Sequence, residues 1–263
     1  MAKEIWDGGA AYESYVGRWS RLVAREFLGW LNVPPGSRWL DVGCGCGALT
    51  QTIRECAMPE TVHGVDRSPE FITFARQQMS DERVRYDTGD AKKLSAKTST
   101  YDAVVSALAL NFFPDPPQAV AEMVRVARPG GLVAAYVWDY AGRMELMRHF
   151  WNAAVALDPS AGVLDEGRRF PLCQPEPLRE LFQSAGLDEA EIRAIDIATK
   201  FENFDDYWKP FLGGQGPAPS YAMALGEEQR AALGKKIRAT LPIAEDGSIQ
   251  LVARAWAARG VRG

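Results

Sequence analysis

The sequence has 263 residues, of which 47% are hydrophobic and 24% are charged, and its formal net charge at pH 7 is −4. This composition is typical of a soluble globular protein that buries a sizeable core. The weakly acidic balance argues against a basic nucleic-acid-binding surface, and no apolar run is long enough to span a bilayer.

The four cysteines, at positions 44, 46, 56 and 173, show neither disulfide nor zinc spacing. The C-x-C pair is too close for the usual structural zinc site, and only His63 and His149 could add imidazole ligands. We therefore expect no metal site. The first residues lack the charged-then-apolar pattern of a signal peptide, so the sequence predicts a cytoplasmic protein without membrane insertion.

An aromatic-rich segment at residues 1–20 precedes a predicted helix at residues 20–31. Two interpretations are open. The aromatic side chains either pack this helix against a sheet, or they form a lid over a bound cofactor. The aromatic residues of the segment are Trp6, Tyr12, Tyr15 and Trp19.

The most informative stretch is WLDVGCGCGALT at residues 39–50. Its first four residues predict a short buried strand, the glycines that follow predict a tight turn, and residues 48–57 predict an amphipathic helix. Glycines permit positive φ angles and let a ligand approach the backbone closely. A strand, glycine turn and helix in this order is where nucleotide-like ligands bind in doubly wound α/β folds.

The spacing of these glycines distinguishes two classes of ligand. A dinucleotide fingerprint requires G-x-G-x-x-G, whereas this turn reads G-x-G-x-G and is followed by Ala48. With Asp41 before it and Leu49 after it, the turn resembles motif I of the class I S-adenosylmethionine-dependent methyltransferases. The resemblance implies S-adenosylmethionine as cofactor and S-adenosylhomocysteine as product, with cofactor contacts from Asp41, Gly43, Cys44 and Gly45.

Residues 61–66 predict a second strand that ends at Asp66, which follows Gly43 by 23 residues. A carboxylate binds a ribose at about this interval in such folds, because it accepts from both hydroxyls at once. We therefore predict a ribose contact for Asp66, beside Arg67, although a plain turn residue is the alternative. Ser68 and Pro69 then predict the start of a helix, as N-cap and first helical residue.

Residues 83–91 predict a third strand that again ends at an acid. The resemblance implies that Asp90 accepts from the adenine amino group and that the Ala91 amide donates to the ring, whereas a solvated turn aspartate is the alternative. The same resemblance extends to the N-terminal segment. There it implies that Arg18 pairs with the cofactor's carboxylate and that Tyr15 or Trp19 packs near the sulfonium.

Residues 101–110 form a nearly continuous apolar run, which predicts a central strand buried on both faces. Ser106 and Ala107, near its carboxyl end, complete the predicted cofactor residues. Asp115 then predicts the cap of a helix at residues 118–127. The run Asp-Pro-Pro-Gln at residues 115–118 resembles the motif with which amino-group methyltransferases hold a planar nitrogen. However, it lies beyond the strand end and finishes in Gln, so we interpret it as a helix cap.

The sequence VARPGGL at residues 126–132 is nearly a family signature, and its glycines predict the turn into a fifth strand at 132–139. Beyond it we predict helices at 143–157, 177–185 and 227–241, a sixth strand within 190–201 and a final strand at 248–257. Residues 159–177 predict a loop, and residues 213–219 predict a flexible Gly/Pro loop.

Strands that alternate with helices predict an α/β fold with a doubly wound, mostly parallel sheet. The resemblance implies the seven-stranded, Rossmann-like methyltransferase fold, in which the last strand is antiparallel and enters between the fifth and sixth. We predict a single domain over residues 1–263. Its parts are a lid at 1–20, a core at about 36–140, 177–202 and 247–258, and helical cap insertions at about 141–176 and 203–246.

Methyl transfer from a sulfonium requires alignment and exclusion of water more than a catalytic side chain. If the acceptor is a hydroxyl, a base must take its proton, and the candidates are His149, Asp139 and Tyr140. For His149 the alternative is a packing role among the apolar residues around it on the predicted cap helix. Aromatic residues of the cap suggest an apolar or aromatic acceptor, although packing between cap helices is an equal alternative for each of them. The predicted pocket residues are Trp138, Phe150, Trp151, Trp208 and Phe211.

The resemblance is firm over residues 36–140 and is closest to the methyltransferase type 11 group, which includes ubiquinone- and menaquinone-biosynthesis enzymes. It implies an S-adenosylmethionine-dependent methyltransferase that acts on a small, partly apolar molecule. Two alternatives stay open: a non-catalytic protein that binds the same cofactor, and an NAD(P)-dependent oxidoreductase of similar fold. A nucleic-acid methyltransferase is disfavoured by the acidity and by the missing planar-nitrogen motif.

Overall fold

The computed structural model describes residues 17–187, 189–213 and 216–263, so Tyr15 and most of the predicted lid lie outside it. The strands are β1 (Arg38–Val42), β2 (Thr61–Asp66), β3 (Val84–Thr88), β4 (Tyr101–Ala107), β5 (Ala127–Trp138), β6 (Glu191–Phe201) and β7 (Ile249–Val261). The α-helices are α1 (Arg18–Leu31), α2 (Ala48–Cys56), α3 (Pro69–Gln78), α4 (Pro116–Val126), α5 (Glu145–Leu157), α6 (Glu166–Arg169), α7 (Pro175–Ser184), α8 (Phe204–Trp208), α9 (Pro217–Ala224) and α10 (Glu227–Thr240).

The strands of the described residues form one seven-stranded sheet in the order β3-β2-β1-β4-β5-β7-β6. Neighbours from β3 to β5 pair in parallel. β7 runs antiparallel to β5, because Gly130 N donates to Arg262 O near one end and Asp139 N donates to Arg254 O near the other. The predicted fold class, with its antiparallel last strand between the fifth and sixth, is therefore confirmed.

Two compact units divide the chain. The larger unit comprises Ser20–Val137, Leu172–Ile195 and Ala255–Gly263, and the smaller unit comprises residues 17–19, Trp138–Pro171 and Asp196–Arg254. Most of the predicted cap insertions fall in the smaller unit, while the single-domain organisation stays a prediction. Among the described residues, no helix is long and apolar enough to cross a membrane.

The core of the larger unit is built on β1 and β4, whose apolar side chains are almost fully buried. Burial on both faces explains the continuous apolar run of β4, since helices cover each side of a parallel sheet. α1 contributes Val23 and Phe27, both fully buried, and the Phe27 ring meets Tyr136 edge-to-face at 4.7 Å. These contacts hold the strands whose carboxyl ends carry the predicted site.

Two loop predictions are wrong in part. The segment 159–177 contains a 3₁₀ turn (Pro159–Val163), α6 and the start of α7. Asp158 is the N-cap of the 3₁₀ turn, because its carboxylate accepts from Ser160 N. Asp165 is the N-cap of α6, because its carboxylate accepts from Gly167 N. Likewise, α9 begins at Pro217, inside the predicted Gly/Pro loop, since proline is well suited to the first turn of a helix.

Candidate functional site

The glycine turn joins β1 to α2, and its three glycines all have positive φ angles, 75° at Gly43, 51° at Gly45 and 88° at Gly47. A Cβ at Gly43 would lie 2.6 Å from Ala109 Cβ, and one at Gly47 would lie 2.6 Å from the Tyr86 hydroxyl. A Cβ at Gly45 would meet nothing within 4 Å. Gly43 and Gly47 are therefore required by packing, whereas Gly45 leaves open space at which a ligand could approach the backbone.

Asp66, at the end of β2, is bound to this turn. One carboxylate oxygen accepts from Gly45 N at 3.0 Å, and the other accepts from Ser68 N at 2.9 Å. The amides of Gly43 and Cys44 both donate to Val65 O, which ties the two strand ends together. A carboxylate offers about four acceptor positions, so partly exposed Asp66 retains capacity for ligand hydroxyls.

Asp41 is fully buried beneath the turn. Its Oδ2 accepts from the Thr50 hydroxyl at 2.7 Å, while its Oδ1 is buried without a hydrogen-bond partner. Burial raises the pKa of this carboxyl from 3.8 to about 7, against the lowering effect of the Thr50 hydrogen bonds. A buried acceptor without a donor costs stability, so this oxygen is a natural contact for a ligand or an ordered water.

Replacing Asp41 with asparagine is expected to remove a pH-dependent loss of stability. The folded state holds a proton that the unfolded state releases between pH 3.8 and about 7. The wild-type free energy of unfolding therefore falls across that window by up to roughly 1.4 kcal/mol per pH unit, and it levels off above it. Asparagine keeps an acceptor for Thr50 but does not titrate.

Urea unfolding of both proteins at several pH values from about 5 to about 8 measures this effect. The stability of the wild type relative to the variant should decrease as the pH rises to about 7 and should change little above that. A difference that stays constant across this range would show that Asp41 ionises normally in the folded protein.

The end of β3 adjoins Asp66, because Gly89 N donates to Asp66 O at 2.9 Å. Asp90 is exposed, and its Oδ1 accepts from Lys92 N at 2.9 Å. At the end of β4, the Ser106 hydroxyl is buried without a partner. The larger unit thus places the following predicted cofactor residues along the carboxyl ends of β1 to β4: Asp41, Gly43, Cys44, Gly45, Asp66, Arg67, Asp90, Ala91, Ser106 and Ala107.

Sequence reasoning missed two polar residues of this region. The first is Thr50, whose hydroxyl donates to Asp41. The sequence feature that could have indicated this contact is a hydroxyl residue in the first turn of the helix that follows a buried acid. Asn111 is the other, in the 3₁₀ turn Leu110–Phe112 after β4. Its signal was a lone polar residue within the otherwise apolar run 107–114.

The comparison with protein families agrees with this geometry. Residues 40–135, which run from β1 into β5, match the type 11 family described as a methyltransferase domain. This part of the chain is thus similar to the type 11 methyltransferase domain. The match covers the glycine turn and the ends of β2, β3 and β4, where the predicted cofactor residues of the larger unit lie.

The chain is also similar to methyltransferases that are named for quinone-type molecules. The 2-methyl-6-phytyl-1,4-hydroquinone methyltransferase of Synechocystis is 26% identical over 187 residues, 70% of this chain and 57% of the relative. The demethylmenaquinone methyltransferase of Deinococcus radiodurans is 35% identical over 115 residues, 43% of this chain and 46% of the relative. The chain thus spans about half the length of these curated relatives.

A solved structure shares the fold of the methyltransferase domain. The phosphoethanolamine N-methyltransferase 2 of Haemonchus contortus, determined with phosphomonomethylethanolamine and S-adenosylhomocysteine, aligns with a TM-score of 0.61. The alignment covers 96% of this chain and 56% of that chain, at 18% identity. At this identity the likeness concerns the fold alone.

Two further predicted cofactor residues, Arg18 and Trp19, belong to the smaller unit rather than to the methyltransferase core. Arg18 Nη1 donates to Asp206 Oδ1 at 3.0 Å, and its guanidinium lies 4.4 Å from the centre of the Trp19 ring and 4.9 Å from that of Phe201. Arg18 Nε and Nη2 are buried without hydrogen-bond partners. Two donor nitrogens of Arg18 therefore lack a hydrogen-bond partner, which is the kind of site that an anion would satisfy.

Four of the predicted acceptor-pocket residues form an aromatic cluster in the smaller unit. Phe150 stacks on Phe211 with a centroid distance of 4.6 Å and meets Trp151 edge-to-face at 5.1 Å. Trp208 lies 6.4 Å from Phe150 and is only half-buried. The cluster also includes Tyr221, which sequence reasoning missed. The fifth predicted residue, Trp138, is buried at the end of β5.

The three candidate bases have different surroundings. Both carboxylate oxygens of Asp139 accept from backbone amides, those of Gly142 and Arg143, so this side chain holds the turn that precedes α5. Tyr140 is buried, and its ring packs at 5.7 Å from Phe170. Burial lowers the pKa of His149, which favours the neutral imidazole that a base requires.

A buried acid of the smaller unit, Glu166, gave no signal in the sequence. It accepts a hydrogen bond from the indole N–H of Trp151, and burial raises its pKa to about 7. Beside it, Arg148 and Asp165 form a bidentate ion pair. Trp151, Arg148 and Asp165 line a cavity of about 400 Å³.

Proposed function

We propose that the protein is an S-adenosylmethionine-dependent methyltransferase whose acceptor is a small, partly apolar or aromatic molecule. The observation that carries this proposal is the glycine turn with two acids. Gly45 faces open space, the Asp66 carboxylate is anchored beside it, and buried Asp41 has one oxygen without a donor. The type 11 match and the quinone-type relatives support the same conclusion.

The residues present fit this cofactor better than a dinucleotide. Asp66 would accept from the ribose hydroxyls, and Asp90 with the Ala91 amide would hold the adenine. Asp41 Oδ1 would accept from the cofactor, directly or through an ordered water. Arg18, with its unpaired donors, is the candidate for the carboxylate. When bound, S-adenosylmethionine supplies a methyl group that is already activated on a sulfonium.

The chain's own contribution to the reaction is then orientation. Backbone amides fix the Asp66 carboxylate, and packing fixes Gly43 and Gly47, so the turn is formed before a ligand arrives. Such preorganisation lowers the cost of binding and of alignment. If the acceptor is a hydroxyl, a base must hold its proton, and the neutral imidazole of His149 is the candidate for that task.

Two observations support the proposed class of acceptor: the similar proteins are named for quinone-type molecules, and the predicted cap insertions are rich in aromatic residues. Hydroquinones are aromatic and partly apolar, and they carry hydroxyl groups that a polar side chain can recognise. We therefore propose a hydroquinone-like acceptor. The aromatic cluster of the smaller unit supports an apolar acceptor only in part, because Phe150 and Phe211 are fully buried by their neighbours.

Calorimetric titration with S-adenosylhomocysteine tests the cofactor assignment. We expect micromolar affinity for the wild type and a fall of about tenfold or more, equivalent to about 1.4 kcal/mol, for Asp66→Ala. The reason is that the variant loses the ribose contact and releases Gly45 N. The matched control is Asp246→Ala. Asp246 lies in the smaller unit and, like Asp66, accepts from the backbone amide of the residue two positions later in the chain.

A titration with NAD completes this experiment. Asp246→Ala should bind S-adenosylhomocysteine as the wild type does, and NAD should not compete. Binding of NAD by the wild type without binding of S-adenosylhomocysteine would overturn the proposal in favour of an oxidoreductase.

A further inference from the structure

The smaller unit contains a cavity of about 400 Å³ to which the proposed reaction gives no role. Its walls are one face of α5, the beginning of α6 with its N-cap Asp165, and Ala141 just after β5. All of the lining residues belong to one short stretch of the chain, residues 141–168. A cavity of this volume is large enough for a small molecule.

The cavity and the aromatic cluster lie on different faces of α5. Arg148, Asn152 and Val155 line the cavity and follow one another at spacings of four and three residues, so they share one face of the helix. Phe150 of the aromatic cluster lies two residues from both Arg148 and Asn152, roughly 200° around the helix axis. Trp151 lies between the two faces and contacts both. The cavity is therefore separate from the cluster that the sequence predicts for the methyl acceptor.

Two of the three charged residues that line the cavity neutralise each other. Arg148 Nη1 donates to Asp165 Oδ2 at 3.0 Å, and Nη2 donates to Oδ1. Asp165 Oδ1 also accepts from Gly167 N at 2.8 Å, and the Asp165 side chain is only 8% exposed. The carboxylate therefore has its partners within the fold, and the ion pair adds no net charge to the cavity.

Arg168 is the third charged residue of the lining, and it is exposed. Its guanidinium makes no hydrogen bond or ion pair within the part of the chain that the structure describes. The guanidinium lies against the 3₁₀ turn, because a Cβ added at Gly162 would be 2.7 Å from Nη1 and 3.2 Å from Cζ. A glycine at this position thus leaves room for the guanidinium beside the cavity, where its positive charge is not compensated.

We propose that this cavity binds a small monocarboxylate with an apolar body, a ligand other than the cofactor and the methyl acceptor. The planar Arg168 guanidinium binds a carboxylate through two parallel N–H···O bonds, and the exposed carboxamide of Asn152 provides a further donor. Val155 and Ala156 provide an apolar wall. One uncompensated positive charge matches one negative charge, whereas the Asp165 carboxylate in the lining disfavours a dianion such as sulfate.

Calorimetric titration with benzoate, benzyl alcohol and sulfate tests this proposal. We expect the wild type to bind benzoate at least about tenfold more tightly than benzyl alcohol, which has the same ring without the charge, and more tightly than sulfate. The titrations are done at pH 6, where benzoate is ionised. Burial raises the pKa of Glu166, the hydrogen-bond partner of Trp151, to about 7, so this acid is mostly protonated at pH 6 and does not repel the anion.

Arg168→Gln should remove the preference for benzoate over benzyl alcohol, because the carboxylate loses its guanidinium partner. The matched control is Arg169→Gln, which removes the same charge from the neighbouring residue. Arg169 packs on the Phe170 ring and is not part of the cavity lining, so its replacement should preserve the preference. Both arginines are exposed, so both variants should unfold at the urea concentration of the wild type.

Gly162→Ala tests the position of the guanidinium without changing any charge. The atoms nearest to the new Cβ belong to the end of the Arg168 side chain, which can move away, so the free energy of unfolding should change little. Displacement of the guanidinium should weaken benzoate binding by about threefold or more.

The affinity for benzoate should stay within about twofold when S-adenosylhomocysteine saturates the protein, because the two ligands have separate sites. A protein that binds benzoate but not S-adenosylhomocysteine would contradict the proposed function and leave the cavity assignment intact. The cavity assignment would be overturned by a wild type that does not bind benzoate, by sulfate binding as tight as benzoate binding, or by competition between benzoate and S-adenosylhomocysteine. Equal losses of benzoate affinity in Arg168→Gln and Arg169→Gln would also overturn it.

Discussion

Replacing Gly43 with alanine is expected to destabilise the protein by about 2–5 kcal/mol and to abolish measurable binding of S-adenosylhomocysteine. The new Cβ would lie 2.6 Å from Ala109 Cβ and 3.0–3.1 Å from the Phe113 ring. Ala109 Cβ is attached directly to its backbone and can move only with it, so the backbone itself must move. The φ angle of 75° adds the left-handed penalty that every residue with a Cβ experiences.

The matched control is Gly36→Ala. Gly36 has a φ angle of 76°, almost the same as Gly43, but a Cβ there would meet nothing within 4 Å. The Gly36→Ala variant should therefore be destabilised by only about 1–2 kcal/mol, the cost of the left-handed backbone conformation. It should bind S-adenosylhomocysteine as the wild type does. Urea unfolding and calorimetry of both variants measure the two effects. Equal losses of stability would show that the contact with Ala109 and Phe113 is not a constraint.

Truncation of Phe150 to alanine should cost about 3–5 kcal/mol, because this ring is fully buried and has aromatic neighbours on several sides. The lost contacts include the stacking on Phe211 and the edge-to-face contact with Trp151. The measurement is again urea unfolding, together with the near-ultraviolet circular dichroism of the aromatic cluster.

Phe204→Ala is the comparison for this variant. Phe204 is also aromatic and lies in the smaller unit, but it is only half-buried and its ring neighbours, Tyr207 and Trp208, are more than 6 Å away. Its truncation should cost clearly less than that of Phe150. If Phe150→Ala unfolds like the wild type, Phe150 is not a packing residue, and a role in an acceptor pocket becomes the better interpretation.

The fold of the larger unit could be predicted because local signals agree with the tertiary structure there. Ser68 caps α3 by accepting from Phe71 N, with Pro69 at the first helical position, as the sequence indicates. Asp115 caps α4 by accepting from Gln118 N, which supports the interpretation of that run as a helix cap. The apolar run of β4 indicates burial on both faces, because helices cover each side of a parallel sheet.

What could not be predicted depends on neighbours that are remote in sequence. Asp139 ends a strand and has the residue type of a base, yet its carboxylate accepts from two amides of the following turn. The cap helices between residues 158 and 177 are short, and periodicity is weak over four or five residues. The unpaired atoms of Asp41 and Asn111 are visible only when every potential donor and acceptor around them is known.

The position of β7 in the sheet has a consequence for the order of folding during synthesis. β7 fills the place between β5 and β6, yet it follows both of them in the chain. While the ribosome is still making residues 249–261, β5 and β6 each have an edge of unpaired backbone amides and carbonyls. Such edges associate readily with other nascent chains. Among the described strands, β7 is therefore the one that covers these two edges, and until it is made they stay open to other chains.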